Sequence, residues 1–299
     1  MNVAILGSGF GLYGYLPALR DEQCRVVLPE RYRAVVEGRA ELSGLAGGII
    51  WVADEKDALD RADAVVVARR PVDQAGLIAE LFARPELKRL VLEKPLAPDP
   101  ETAMHLQDKL EASDKIVRIG YCLGFTGWGR QLIARAAASH GDVGIRWRFC
   151  AHHYATGQSN WKRSHAQGGG ALRFYGIQLI SLLVDLGFEG ASASSIASAQ
   201  SDEAESWRAT LTSGDGARCE IELDSNFAQT EFSIGAPAFG LALSLPDPFD
   251  GVASGGQDRR VPVLSLLCQE MLTAERSPHQ RYRKTIELWR AIEAVTVRR

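Results

Sequence analysis

Val3-Ala4-Ile5-Leu6-Gly7-Ser8-Gly9-Phe10-Gly11-Leu12-Tyr13-Gly14 opens the chain. An apolar run passes straight into a turn with glycine at alternate positions. Glycine lets a backbone turn tightly and lets its N–H groups approach a pyrophosphate. The N-terminus of a following helix favours negative charge at the same place. At the end of a first strand this combination reads as a dinucleotide-binding turn, formed by Gly7, Gly9, Phe10, Gly11 and Leu12. It departs from strict G-x-G-x-x-G spacing, which wants glycine at Leu12; here the third glycine comes one place earlier, at Gly11.

Five further short apolar runs follow: Val26–Leu28, Ile49–Val52, Ala64–Ala68, Leu90–Leu92 and Ile116–Ile119. They are continuously apolar, as expected of parallel strands covered on both faces. Helical segments such as Gly76–Phe82 and Thr102–Leu110 lie between them. The second has Asp99 as its N-cap, Pro100 at the first helical position and Glu101 in the first turn. Strand alternating with helix predicts a doubly wound sheet. Beyond about Tyr121 the pattern changes to period two: Ile145, Trp147 and Phe149; Cys219, Ile221 and Leu223; Leu241, Leu243 and Leu245. Ser213-Gly214-Asp215-Gly216 supplies a hairpin turn, and helical periodicity returns from about Tyr282 to Val295. The expected architecture is an N-terminal Rossmann domain over residues 1–121 and an α+β domain over 122–299 with a mostly antiparallel open sheet. One face of that sheet should pack on another subunit or carry an exposed apolar patch.

Composition narrows the function classes. The 299 residues are 46% hydrophobic and 24% charged with a formal net charge of -3, which makes no case for nucleic acid or an anionic membrane surface. Five scattered cysteines, odd in number and without a Cys-x-x-Cys pair, point to a reduced, cytoplasmic protein. No run approaches the roughly 20 apolar residues that span a bilayer. No Cys/His cluster has zinc-ligand spacing, and the adjacent His152 and His153 would point to opposite faces of a strand, so no metal is expected.

The second run ends at Leu28-Pro29-Glu30-Arg31. Glu30 suits the adenosine ribose hydroxyls and NAD, whereas Arg31 suits a 2′-phosphate and NADP; both remain open. Arg69 and Arg70, after the fourth run, are candidates for cofactor phosphates. The segment His152–His165 is dense in polar, aromatic and basic residues. Within it Trp161 would suit a sugar face, and Lys162 and Arg163, with Arg173 further on, would suit a phosphate or carboxylate.

Glu93-Lys94-Pro95 after the fifth run, the glycine turn leading into Leu16-Pro17-Ala18-Leu19, Gly168-Gly169-Gly170-Ala171-Leu172 ahead of a helix, and the closing Ile286–Glu293 together resemble the glucose–fructose oxidoreductase / inositol dehydrogenase family over nearly the whole chain. The resemblance implies a nicotinamide at the domain cleft, a sugar or polyol substrate, and assembly as a homodimer or homotetramer through the C-terminal sheet. It implies that Glu93 and Lys94 lie by the cofactor, with Lys94 near the reacting oxygen, and that Tyr121, His153, Trp161, Lys162, Arg163, Arg173 and Gln178 face substrate. The chain departs from the family pattern at two positions: Phe174 stands where the family has aspartate, and Gln178 where it has the proton-carrying histidine. An amide does not titrate near neutrality. The proton role therefore passes to Tyr175 with Lys94, or to His165 or His153. Two alternatives remain: a protein that binds dinucleotide or sugar without redox turnover, and a lyase- or glycosidase-type branch using NAD transiently.

Overall fold

A computed structural model describes residues 1–136, 138–249 and 256–299. The chain forms two compact units. The first contains Met1–Leu96, Asp108–Cys122 and, among the described residues, 256–278; the second contains Ala97–Gln107, the chain from Leu123 to 249, and His279–Arg299.

The first unit is built on six parallel strands: β1 (Asn2–Leu6), β2 (Arg25–Pro29), β3 (Ile49–Val52), β4 (Ala64–Val67), β5 (Arg89–Leu92) and β6 (Ile116–Ile119), in the order β3-β2-β1-β4-β5-β6. The order reverses between β1 and β4, and a doubly wound sheet binds its ligand outside the carboxyl ends of the strands at that point. Val3–Leu6 and Ala64–Val67 are wholly buried. Each fully buried valine, leucine or isoleucine there contributes roughly 1.5–3 kcal/mol, which is why these runs are continuously apolar. All six apolar runs of the sequence are strands. The helix Val261–Thr273 also belongs to this unit and packs on β5 and β6. Arg89 Nη1 caps its end, donating to the carbonyls of Met271 and Ala274 at 2.7 and 2.8 Å. The sequence reading has one boundary near residue 122; the chain also passes between the units at 96/97, at 107/108, beyond residue 249 and at 278/279.

The second unit holds a seven-stranded sheet of β7 (Val143–Cys150), β8 (Phe188–Ala197), β9 (Ser206–Ser213), β10 (Arg218–Asp224), β11 (Asn226–Ala236), β12 (Leu241–Leu245) and β13 (Thr296–Arg298), ordered β12-β11-β7-β10-β9-β8-β13. Only β7–β10 and β8–β13 pair in parallel. The 213–216 turn joins β9 to β10, with Gly216 at φ 87°. Helices Ile177–Asp185 and His279–Ala294 pack on β8 and on each other. Ile145, Trp147, Trp207, Leu211, Ile221, Leu223, Phe232 and Ile234 are buried.

Period two sends the intervening residues to the opposite face. There Glu222 accepts from Arg146 (3.0 Å), Arg148 (2.8 Å) and Arg208 (2.8 Å), and Glu220 accepts from Thr210 (2.9 Å). Against the cost of its partial burial, hydrogen bonds from Arg148, Arg208 and Arg146 hold the Glu222 carboxyl down at about 2. Of the two expectations for this face, the apolar patch is not met: among the described residues the exposed large apolar side chains are Met1, Val72, Val295 and Val297. No helix of the described residues is long and apolar enough to cross a membrane.

Candidate functional site

In the first unit, the three glycines of the opening turn do three different jobs. Gly7 sits at φ 138°, and a Cβ there would lie 2.2 Å from the Ala68 carbonyl oxygen. A Cβ on Gly11 would meet Ile5 Cγ2 at 2.8 Å and Ala68 Cβ at 3.2 Å, so Gly11 lets the helix press against β1 and β4. A Cβ on Gly9 would meet nothing within 4 Å. Those are the tight turn, the close helix–strand packing and the open approach that a pyrophosphate cradle needs. Gly11 thus takes the packing role that strict spacing assigns to position 12. Leu12 is wholly buried, a core residue rather than a ligand-facing one, and its N–H donates to the Gly9 carbonyl at 2.9 Å. The turn runs into a π-helical segment, Gly11–Tyr15, and then the helix Leu16–Asp21.

Phe10 is packed on three sides: edge-on to Tyr13 and Tyr15 at 5.3 and 5.4 Å, and beneath the Arg260 guanidinium at 4.1 Å. A Cβ on Gly14 would lie 2.5 Å from this ring, so Gly14 makes room for it. Asp258 holds Arg260 through both oxygens at 2.8 Å.

The Gly7 N–H donates to the Tyr32 hydroxyl at 3.1 Å, and Tyr32 donates in turn to Glu55 at 2.9 Å. Arg31 and Arg69 both pair with the same Glu55 oxygen. Glu30 is gripped at both oxygens by Arg33, at 2.5 and 3.0 Å, and Arg33 also lies over the Trp51 ring at 4.5 Å. Arg70 is taken by Asp73 at 2.7 Å, in the first turn of the helix Pro71–Phe82.

Glu93 is buried at the end of β5, and its carboxylate accepts from Tyr15 at 2.5 Å. Burial, chiefly, raises the Glu93 carboxyl above its usual range, and Lys94 opposes this. Burial, then the Glu93 charge, pushes the Tyr15 hydroxyl well above its ordinary value. Gly120 leaves space for the pair, since a Cβ there would lie 2.6 Å from Glu93 Oε1. The wholly buried Gln74 donates to the carbonyls of Glu93 (2.8 Å) and Leu96 (3.1 Å) and accepts from the Glu93 N–H (3.1 Å). Gln74 thereby clamps the backbone on either side of Lys94 and the cis Pro95. Lys94 is half-buried and Tyr121 buried.

In the second unit, the triple glycine threads between two backbones. Cβ atoms would meet the Trp161 carbonyl at 2.3 Å from Gly169 and Ala204 Cβ at 2.8 Å from Gly170. Gly170 donates to the Lys162 carbonyl at 2.8 Å, which fixes Trp161 and Lys162 beside the next segment. That segment, Ala171–Gly176, is again π-helical. Its Phe174 and Tyr175 belong to one row of rings: Trp161 to Phe174 at 5.3 Å, Phe174 to Tyr175 at 4.8 Å, and Tyr175 to Phe149 at 4.8 Å. Lys162 Nζ lies 5.7 Å from the Phe174 ring centre. Phe174 is thus part of an aromatic surface. Gln178 is buried.

The two arginines expected to face substrate are held in ion pairs. Arg163 pairs with Glu203 at 2.8 Å. Arg173 grips Glu293 through Nε and Nη2 at 2.7 and 2.5 Å and donates from Nη1 to the carbonyls of Pro98 and His165. With four of its five N–H bonds placed on the protein, Arg173 is a clamp rather than a recognition fork. Buried His153 leaves Nε2, and half-buried His165 leaves Nδ1, without a partner among the described residues. Burial, then Lys162 and Arg163, draws His153 down to about 4; burial, then Arg173, does the same to His165. Both rings are neutral at pH 7, so neither is primed to give a proton.

Sequence reasoning missed Tyr15, Tyr32, Glu55, Gln74 and Arg260. The acidic first turn after Asp54 could have pointed to Glu55. The others act through contacts between residues far apart in the chain, and no local pattern marks them.

No family model and no curated protein matches the chain. Solved structures do. GenD2 from gentamicin A biosynthesis, in complex with NAD, is 17% identical with a TM-score of 0.75, covering 99% of this chain and 93% of its own. KijD10, a 3-ketoreductase from Actinomadura kijaniata in complex with NADP and TDP-benzene, is 16% identical at TM-score 0.71, with coverages of 100% and 98%. A myo-inositol dehydrogenase from Corynebacterium glutamicum is 15% identical at TM-score 0.69, with coverages of 99% and 96%. The chain has the fold these proteins share: a Rossmann-type parallel sheet followed by a mixed, mostly antiparallel one.

Proposed function

We propose that the chain is an NAD(P)-dependent oxidoreductase of the glucose–fructose oxidoreductase / inositol dehydrogenase kind, acting on a sugar or polyol carbonyl/alcohol pair. The observation that carries this is the division of labour among Gly7, Gly9 and Gly11 at the β1/β4 reversal, in which Gly9 leaves open the approach that a pyrophosphate uses. The Ser8 and Gly9 amides, which donate to no protein acceptor among the described residues, would take the phosphate oxygens. Phe10 and Arg260 would border them. The nicotinamide, when bound, supplies the hydride chemistry.

Lys94, held by the Gln74 clamp, polarises the substrate oxygen. Tyr175 carries the proton, because its hydroxyl is a hydrogen-bond donor while burial holds His153 and His165 in the neutral form. The aromatic row from Trp161 to Phe149 suits a sugar face or a nucleotide base. Copies pair through the charged face of the second sheet, where rows of arginine and glutamate are self-complementary. The cytoplasm suits its five free thiols, four of them buried.

The test is a screen of sugars, polyols and nucleotide-linked keto-sugars, followed by absorbance at 340 nm. A substrate-dependent change that falls by roughly a hundredfold or more in Lys94→Ala is expected, the usual scale for losing a positioned acid–base group. Full turnover by Lys94→Ala would remove that residue from the chemistry. Cofactor binding with no turnover of any substrate would leave the binding-only reading.

A further inference from the structure

We infer that the dinucleotide is NADP, selected through its adenosine 2′-phosphate by Arg33 and Arg31; the inference rests on the dinucleotide reading above. The first residue after β2 is the position from which a carboxylate accepts the ribose 2′-hydroxyl of NAD. Glu30 stands there, but both its oxygens already accept from Arg33. A carboxylate so occupied is a poor acceptor for a ribose, and its charge no longer repels a phosphate.

The Arg33 guanidinium is fixed from a second side, lying over the Trp51 ring on β3, the neighbour of β2. It is a positioned cation rather than a loose surface one. Beside it, Arg31 is more than half exposed, and it shares the single Glu55 carboxylate with Arg69. Glu55 is thus shared between two guanidiniums, Arg33 Nη1 reaches Glu37 only at 3.4 Å, and the planar fork of arginine matches phosphate oxygens in pairs. The Tyr32 hydroxyl joins this cluster to Gly7 of the pyrophosphate turn, so both ends of the adenosine half are organised by one hydrogen-bonded chain. β1 and β2 run parallel and adjacent, which brings residues 7 and 30 to the same edge of the sheet.

The experiment is a fluorescence titration of the purified full chain with NADPH and NADH, and with 2′,5′-ADP against 5′-ADP as half-ligands; Trp51 lies at the site as a reporter. NADPH and 2′,5′-ADP should each bind roughly tenfold or more tighter than their unphosphorylated counterparts, the scale of one or two charge-assisted hydrogen bonds. Arg33→Ala should weaken NADPH by about the same factor while NADH holds or tightens, because Glu30 is released. Glu30→Gln should tighten NADPH. Glu30 is exposed and Arg33 half-buried, both outside the core, so neither change threatens the fold. NADH binding as tightly as NADPH, or Arg33→Ala weakening both equally, would overturn the inference and leave the dinucleotide reading standing. A folded chain that binds neither cofactor would overturn both.

Discussion

Gly9 and Gly11 look alike in the sequence and differ in consequence. Gly9→Ala adds a methyl into open space, so stability should stay within about 0.5 kcal/mol while dinucleotide affinity falls. Gly11→Ala drives the methyl into Ile5 and Ala68 and should cost about 1–3 kcal/mol of folding stability. Denaturant midpoints and cofactor titrations on the two variants separate packing from ligand approach. His153 gives a second prediction at this scale. Its folded-state pKa is drawn below the unfolded value, so the neutral ring contributes stability above pH 6.5 that is lost as pH falls toward 4. Urea midpoints between pH 7 and 4.5 should show this loss, and His153→Gln should flatten it. The tight turn at Gly7 and the close packing at Gly11 were legible because local backbone needs mark glycine. Tyr32 was not, because its hydroxyl serves Gly7 across 25 residues of chain. The pairing of Arg173 with Glu293 was not legible, because charge and position alone do not reveal a carboxylate 120 residues away.

Elements were legible where burial imposes one pattern. The six parallel strands are covered on both faces and read as unbroken apolar runs. The helix Pro100–Glu111 begins where its cap predicts, with Asp99 accepting from the Thr102 N–H at 2.8 Å. β8 was hidden because its Ala/Ser-rich stretch has no large side chains to alternate. The two π-helical turns, Gly11–Tyr15 and Ala171–Gly176, were hidden because hydrophobic periodicity carries no information about a five-residue hydrogen-bond step. Each follows a glycine run, and each presents aromatic side chains: Tyr13 and Tyr15 in one, Phe174 and Tyr175 in the other. The second turn is braced by Arg173. Arg173→Ala should lower stability by about 2–3 kcal/mol, because it strands the half-buried Glu293. A thermal melt checks the value. An unchanged melting temperature with a raised KM would return Arg173 to the substrate.

For the whole molecule, the sequence supported a parallel sheet followed by an antiparallel one, because the switch from continuous to alternating apolar runs is abrupt. It gave no sign that 256–278 rejoins the first unit, since the contacts of Arg89 with Met271 and of Val117 with Ser277 span more than 150 residues. Light scattering at micromolar concentration should give a dimer or tetramer mass. Glu222→Arg, which sets four arginines together on the second sheet, should shift that mass toward the monomer. A monomeric wild type would remove the sheet face from assembly.

The late return of the chain bears on how the protein can be taken apart. A gene cut after residue 122 would encode all six parallel strands and every glycine of the turn. It would lack the helix Val261–Thr273 that covers β5 and β6, together with Arg260 above Phe10. Such a fragment should expose a dry face and aggregate. A minimal version of the first unit must instead bring 256–278 back to the earlier segments, so this one compact unit is encoded at three separated places in the reading frame.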